Sequence, residues 1–285
     1  MSLKHITVVI VTFNNTGMLK NLLKDLAMQS RQADEIIVVD NGNGNDSRRL
    51  VRSEFTNVKY IHLPGNSGSG GGFYTGIKTA MGKSDGIWTL DDDVRLETDS
   101  LKNLLAGYDN LSATVKRLSA VRSVGAGYDG TYPTEIEIMP WRGTLWAGNV
   151  VREMGPPRAD YFLYGEDLEY SLRMREAGYT AYWVPQSRCI EARHEKTDES
   201  MFGKKVAIYP SSFRLYYAFR SESNIFLQYR RADKMAKLIL FALKVIIYLL
   251  IRERTHGSSK IAAILTGFKH GLQGKLGKNS AYTPS

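Results

Sequence analysis

The sequence predicts an α/β fold built on a mostly parallel central sheet. Apolar, β-branched runs alternate with helical patterns through the first hundred residues. These runs are continuous, as in strands buried on both faces, rather than alternating. Polar, glycine-rich or acidic segments follow the runs directly, where ligands bind in such sheets.

Residues 6–13, ITVVIVTF, read as the first buried strand. Asn14, Asn15 and Thr16 offer capping chemistry, and Leu19, Leu22, Leu23 and Leu26 mark a helix over 18–28. A second strand over 34–40 ends in Asp40 and gives way to the loop NGNGN. A helix over 47–55 and a strand over 58–63 complete right-handed βαβ units. Thr12, Asp40 and Asn66 then fall at strand ends. Residues 66–76, NSGSGGGFYTG, form a glycine-rich loop leading into a helix over 75–81. Glycines allow close backbone approach, and a helix start favours phosphate. The loop lacks the G-x-G-x-x-G context after the first strand, which disfavours a nicotinamide oxidoreductase.

The segment GIWTLDDDVRLE centres on Asp91, Asp92 and Asp93. Three adjacent carboxylates repel one another unless a cation sits among them. Their hard oxygens suit Mg²⁺ or Mn²⁺ bridged to phosphate. Strand alternation puts Asp91 and Asp93 on one face. A solvated acidic turn is the plainer reading of the triplet alone.

Residues 101–118 carry leucines at helical spacing, and glycines and prolines between 125 and 140 mark turns. Trp146, in the aromatic stretch 141–149, is a candidate sugar-stacking platform or a core residue. Glu166, Asp167 and Glu169 crowd the start of a helix, where anions are favoured, directly after YFLY. A strand follows over 180–185, then His194 in a polar context. Cys189, the single cysteine, excludes an intrachain disulfide, suggests a reducing compartment and reads as a small buried residue.

The net charge of +9 favours an anionic partner. Without a recognisable nucleic-acid module, nucleotide phosphates or an anionic membrane surface come first. The N-terminus runs straight into a strand pattern, with no signal peptide. Residues 235–251, MAKLILFALKVIIYLLI, form an apolar helix interrupted by Lys237 and Lys244. It is short for a membrane span and suits an in-plane amphipathic helix. A helix packed on the protein itself, or a homo-oligomer contact, stays open. Residues 275–285 read as a loose tail. One break at residue 205 divides the chain into a catalytic domain, 1–205, and a basic helical extension, 206–285.

Taken together, ITVVIVTFN, VVDNG, NSGSGGGFYTG, WTLDDDV, LYGEDLEYSLRMREAGY and His194 resemble the family 2 glycosyltransferases, and above all bacterial rhamnosyl- and galactofuranosyltransferases. The resemblance spans about residues 5–200, and the tail segment GLQGKLG looks similar too. It implies a GT-A nucleotide-sugar fold and inverting, metal-dependent transfer of a hexose, galactofuranose or rhamnose, from a UDP- or dTDP-sugar. The implied acceptor is a hydroxyl of a lipid-linked or growing glycan, at the inner face of the cell membrane. By the same resemblance Asp91, Asp93 and His194 bind Mn²⁺ or Mg²⁺ and Asp167 is the catalytic base. Thr12, Asp40, Asn66, Asp92, Trp146 and Glu166 line the substrate site. Ser67-Gly68-Ser69 departs from the family pattern and leaves the donor open. The competing reading is a catalytically silent nucleotide-binding module that recruits partners at a membrane.

Overall fold

The structure is a computed structural model describing residues 2–192, 197–201, 204–252 and 257–283. In chain order the first elements are β1 (Ile6–Thr12), α1 (Thr16–Ala27), β2 (Glu35–Asp40), α2 (Asp46–Glu54), β3 (Lys59–His62), α3 (Gly68–Ala80) and β4 (Gly86–Asp91). Then follow β5 (Val94–Leu96), α4 (Ser100–Ser112), β6 (Leu118–Val124), β7 (Thr134–Ile136), β8 (Thr144–Ala147) and α5 (Gly148–Met154). The remainder comprises α6 (Glu166–Glu176), β9 (Thr180–Glu191), β10 (Thr197–Met201), β11 (Lys204–Ile208), α7 (Ser212–Gln228), α8 (Ala232–Arg252) and α9 (Gly257–Leu272).

The chain divides into two compact units, and the division is not a single cut. One unit holds Met1–Ala159 and Asp167–Arg193; the other holds Asp160–Glu166 and His194–Ser285.

The first unit is a mixed α/β fold. Its sheet runs β3-β2-β1-β4-β8-β6-β9-β5, with β7 also paired to β9. The β3-β2-β1-β4 portion is wholly parallel, and β8 joins it antiparallel to β4. The β1 residues Ile6, Val8, Val9 and Ile10 have no exposed surface, which is why the run shows no alternation. On α1 the buried residues are Leu19, Leu22, Leu23 and Leu26, as the leucine spacing predicts.

Several elements differ from the sequence reading. The glycine-rich stretch is not a loop: α3 begins at Gly68. A Cβ on Gly72 would lie 2.6 Å from Val11 Cγ1, and one on Gly76 2.3 Å from Val9 Cγ1. The missing side chains let α3 lie close on β1, and that packing outweighs glycine's poor helix propensity. The helix expected over 101–118 stops at Ser112, and Leu118 opens β6. Every residue of β6 is buried, so LSAVRSV displays no period-2 signal. Residues 144–154 form β8 and α5 rather than an irregular aromatic segment. β9 continues well past Pro185, because its register on β6 jumps from Ser123↔Val184 to Val124↔Arg188. That irregularity absorbs the proline, which has no N–H to offer a regular ladder.

In the second unit β10 and β11 form an antiparallel hairpin. Ser211 caps α7 by accepting a hydrogen bond from Arg214 N. Leu215, Phe219, Leu238, Ala242, Val245, Leu249 and Ile264 form the core between α7, α8 and α9. The opposite side of α8 leaves Ile239, Leu240, Leu243, Ile247, Leu250 and Ile251 exposed. The expected loose tail is tied down: Asn279 N donates to Tyr217 Oη at 2.8 Å, and Tyr282 stacks on Tyr216 with centroids 4.1 Å apart. Among the described residues no helix is long and apolar enough to cross a membrane.

Candidate active site

Parallel pairing aligns Thr12 with Asp40 and Val11 with Asp91, so the carboxyl ends of β2, β1 and β4 stand side by side. Asp40 is buried. Its Oδ1 accepts from Gly42 N at 2.6 Å and its Oδ2 from the Tyr60 hydroxyl at 2.6 Å. Burial and the Asp40 carboxylate hold the Tyr60 hydroxyl well above the usual phenol range. Next to it Asn41, which the sequence reading passed over, bridges two loops. Its Nδ2 donates to Gly68 O at 3.0 Å and its Oδ1 accepts from Ser67 N at 3.1 Å. Asn66 Oδ1 accepts from Gly68 N at 2.8 Å and so shapes the start of α3.

Of the acidic triplet only Asp91 is in a strand; Asp92 and Asp93 form the turn into β5. Strand alternation therefore does not relate Asp91 to Asp93. Asp92 is anchored to the end of β1 instead. Thr12 Oγ1 donates to its Oδ2 at 2.6 Å, Asn15 Nδ2 to its Oδ1 at 2.9 Å, and Phe13 N to Oδ2 at 3.4 Å. Asn15 stands at the N-cap of α1 but makes no side-chain cap bond there. Burial pushes the Asp92 carboxyl up to about 6, and the Thr12 and Asn15 hydrogen bonds oppose that rise.

Asp91 and Asp93 both act on the buried Cys189 thiol, which burial above all pushes up to about 12. Two hard carboxylates therefore lie in one neighbourhood beside β9, a donor set that fits Mg²⁺ or Mn²⁺. Among the described residues no group of three His, Cys, Asp or Glu side chains is placed to hold a metal. His194 lies outside the described residues. Such ions commonly take one or two carboxylates and complete their shell with water and substrate phosphates.

Asp167 is the second residue of α6, where its Oδ1 accepts from Leu168 N at 2.7 Å. Burial raises its carboxyl above the usual range, while that hydrogen bond and the nearby cations Arg122 and Arg142 pull the other way. Arg122 is a buried cation on β6. Its guanidinium lies 4.2 Å from the Trp183 ring centroid, and its Nε donates to Arg142 O at 3.1 Å. Burial lowers it to about 10, and Asp167 and Asp91 both favour its charged form. Arg142 pairs with Glu191 at 2.6 Å. The sequence reading missed Arg122; its signal is the lone cation inside an otherwise neutral strand, LSAVRSV.

Two expectations about the neighbouring residues change. Trp146 is fully buried, donates from Nε1 to Thr89 Oγ1 at 3.0 Å, and packs against Trp141 and Tyr170. It is a core residue with no face open to a sugar, because β8 lies inside the sheet between β4 and β6. Glu169, part of the acidic helix start, is buried and ion-paired with Arg173 at 3.1 Å. Glu166 is also buried, and falls in the C-terminal unit.

Comparison with known proteins decides the class of this arrangement. Residues 7–143 match the model of glycosyl transferase family 2. Over that stretch, just under half of its length, the chain is similar to the family 2 glycosyltransferases. The family match spans β1 through the segment before β8 and includes Thr12, Asp40, Asn66 and the triplet; Asp167 lies beyond it. Galactofuranosyltransferase GlfT1 of Mycolicibacterium smegmatis is 27% identical over 213 residues, 65% of this chain and 68% of that protein. Its counterpart in Mycobacterium tuberculosis is 26% identical over 218 residues, again 65% and 68% of the two chains. Among solved structures, a mannosyltransferase of Pyrobaculum calidifontis in complex with GDP-Man and Mn²⁺ has a TM-score of 0.61 at 14% identity, covering 96% of this chain and 88% of that one. S. aureus TarS has a TM-score of 0.55 at 12% identity over 95% of this chain, which spans 55% of the length of TarS. These structures share the GT-A fold. The chain is thus a glycosyltransferase, as the sequence motifs imply.

Proposed function

We propose that this glycosyltransferase inverts the anomeric centre of a hexose, with galactofuranose or rhamnose favoured, as it moves it from a UDP- or dTDP-sugar to an acceptor hydroxyl. The acceptor is a lipid-linked or growing cell-surface glycan. One observation carries the reading. The aligned strand ends bearing Thr12, Asp40 and Asp91 share a unit with Asp167, and Asp167 and Asp91 both act on Arg122.

The roles follow from the chemistry. Asp40 and the Asn41-bridged loops bind the nucleoside; Thr12 and Asn66 shape that pocket. Asp92, fixed by Thr12 and Asn15, borders the donor sugar, and Glu166 borders the acceptor. Asp91 and Asp93, with His194, hold Mn²⁺ or Mg²⁺, which when bound offsets the charge that grows on the departing diphosphate. The acceptor oxygen bonds to the anomeric carbon as the bond from that carbon to the diphosphate breaks. Asp167 takes the acceptor proton. A single displacement inverts the centre, by the stereochemical logic of inverting hydrolases. Burial makes Asp167 a stronger base than an ordinary carboxylate, and Arg122 and Arg142 oppose that rise.

For the second unit we propose peripheral attachment to an anionic membrane. The exposed apolar side of α8 carries the exposed Lys237 and Lys244. Beside it an apolar cleft of about 420 Å³ is lined by Leu249, Leu250, Gly257, Ile261, Ala262 and Leu265. Apolar burial stabilises such contact by roughly 25 cal/mol per Å², and each cation near anionic lipid adds about 1 kcal/mol.

The deciding experiment presents nucleotide sugars, with and without Mn²⁺, to the full chain, and scores donor binding and transfer to a lipid-linked glycan. Transfer with inverted configuration from UDP-galactofuranose or dTDP-rhamnose is the expected result. A chain that binds nucleotide yet transfers nothing supports the silent-module reading. Vesicles containing anionic lipid test the attachment: binding should weaken in high salt, and indifference to vesicles at low salt leaves the α8 face for an oligomer contact.

A further inference from the structure

The cation inside β6 is buried with most of its donors unused. Arg122 is 6% exposed, yet its guanidinium makes a single hydrogen bond, from Nε to Arg142 O at 3.1 Å. Among the described residues its terminal nitrogens, Nη1 and Nη2, have no hydrogen-bond partner and no ion pair. Neither nitrogen is sealed from solvent, so the fork faces an opening rather than the core. A buried charge is ordinarily paired, and donors left free in a buried position cost stability unless a ligand uses them.

The surroundings hold this group in place without neutralising it. The Trp183 ring lies 4.2 Å from the guanidinium, and Tyr128 packs on Trp183 with centroids 5.9 Å apart. The turn that accepts the Nε hydrogen is fixed from both sides. Gly143, at φ 72°, donates from N to Thr89 O at 3.0 Å, and its O accepts from Ser123 N at 2.9 Å. That turn brings a second, half-buried guanidinium, Arg142, close enough to repel Arg122, although Glu191 pairs with it at 2.6 Å. Asp91 and Asp167 favour the Arg122 charge through space without bonding to it. A planar fork with free N–H groups suits a carboxylate or a phosphate, which takes two parallel hydrogen bonds.

Position in the sheet selects the ligand. β8 is antiparallel to both β4 and β6, so β6 runs in the same sense as β4. The pairs Arg122↔Thr144 and Thr144↔Thr89 set Arg122 level with Thr89, two residues before Asp91. Two strand spacings, about 10 Å, separate it from β4, on the side away from β1 and β2. Asp40, the proposed nucleoside contact, lies on the other flank. An acceptor hydroxyl that gives its proton to Asp167 must come within range of Arg122, because those two groups act on each other.

We propose that Arg122, backed by Arg142 and held by Trp183, is an acceptor subsite for an oxyanion carried one sugar away from the accepting hydroxyl. This deepens the transferase reading and rests on Asp167 as the base. Two sources present the same chemistry: an acidic sugar beside the accepting residue, or the phosphate that joins a short glycan to its lipid. Bound there, the anion orients the acceptor, and the Arg122 charge offsets its repulsion from Asp167.

The test uses the full-length chain, donor and Mn²⁺ with three acceptors, at a pH above the acid limb. They are a neutral methyl disaccharide, the same disaccharide with a uronate at its reducing end, and the same with a reducing-end phosphate. One anionic acceptor should exceed the neutral one in kcat/KM by roughly ten- to hundredfold, and the better of the two identifies the source. Arg122→Met should abolish the preference. Arg122→Lys, a point charge without the fork, should keep part of it. Arg142→Met, at a half-buried position, should weaken it and serves if Arg122→Met does not fold. Calorimetry with the anionic disaccharides needs no turnover, and Arg122→Met should weaken their binding by the same factor while UDP affinity holds. Equal kcat/KM for the three acceptors overturns the subsite. So does a loss in Arg122→Met that is the same for all three, which marks a service to Asp167 alone. A fall in UDP affinity with the preference intact also overturns it and assigns Arg122 to the diphosphate. A wild-type chain that transfers nothing yet binds the anionic disaccharides through Arg122 counts against the reaction and not the subsite; one that binds none of them overturns the subsite.

Discussion

Two acidic clusters, one in the turn after β4 and one at the start of α6, hold their carboxylates in opposite ways. Asp92 in the turn receives hydrogen bonds from Thr12, Asn15 and Phe13, which satisfy both of its oxygens. Asp167 takes a backbone N–H at its own helix start and otherwise meets the buried Arg122 and the half-buried Arg142 through space. The first arrangement fixes shape, because three donors orient the carboxylate, even though burial pushes it up to about 6. The second favours proton transfer, because burial raises basicity while the fixed charges of Arg122 and Arg142 preserve the ionised form. Identical side chains thus suit a brace and the proposed base, and the difference lies in what surrounds them.

The largest effect should come from removing the base. Asp167→Asn is expected to lower transfer by about 10²–10⁴-fold, the usual size of a general-base contribution, with nucleotide affinity intact. Steady-state kinetics beside nucleotide titration check this, and near-wild-type turnover would erase the contrast between the clusters.

Next comes the metal side of the turn. Nucleotide binding should tighten on the order of tenfold or more with Mn²⁺, and Asp93→Ala should abolish that gain. Calorimetric titration with and without EDTA measures it; equal affinities in all four conditions would leave the triplet purely structural.

The brace itself is a smaller, structural matter. Thr12→Val takes a donor from a half-buried carboxylate and should destabilise the fold by about 1–3 kcal/mol, read from the midpoint of urea unfolding. An unchanged midpoint would mean that Asn15 and Phe13 suffice.

The subtlest effect is on pH dependence. As the proposed base Asp167 would work only when deprotonated, and its carboxyl is raised in the folded chain. Activity should therefore fade on acidification at a higher pH than an ordinary carboxylate near 3.9 would dictate. Arg122→Met removes a charge that holds Asp167 ionised, so the acid limb should move to still higher pH. A limb that stays in place, or moves down, would detach Arg122 from the base.

Much of this chain is legible from its sequence because the informative signals are local. The unbroken β-branched run of β1, the leucine spacing of α1 and the acidic helix start of α6 each report a period or a cap, which depends only on neighbours a few residues away. Strand-end polar residues pointed to the ligand-binding edge for the same reason: the α/β pattern fixes which end of each strand is open.

What tertiary structure decided are the relations between distant residues. A tryptophan reads the same whether it faces a sugar or a core, and only the placement of β8 between β4 and β6 buried Trp146. The glycines of α3 read as a loop until β1 lies against them at a distance no Cβ would allow. Arg122 gained its charged neighbours from the end of β4, the turn before β8 and the start of α6. The tail, with no periodicity of its own, was ordered by partners on α7 more than fifty residues earlier. Local chemistry therefore determined the elements and most of the candidate carboxylates. Long-range packing determined which of them are buried, which are braced and which can take a proton, because burial and Coulomb interactions depend on distance in space rather than in sequence.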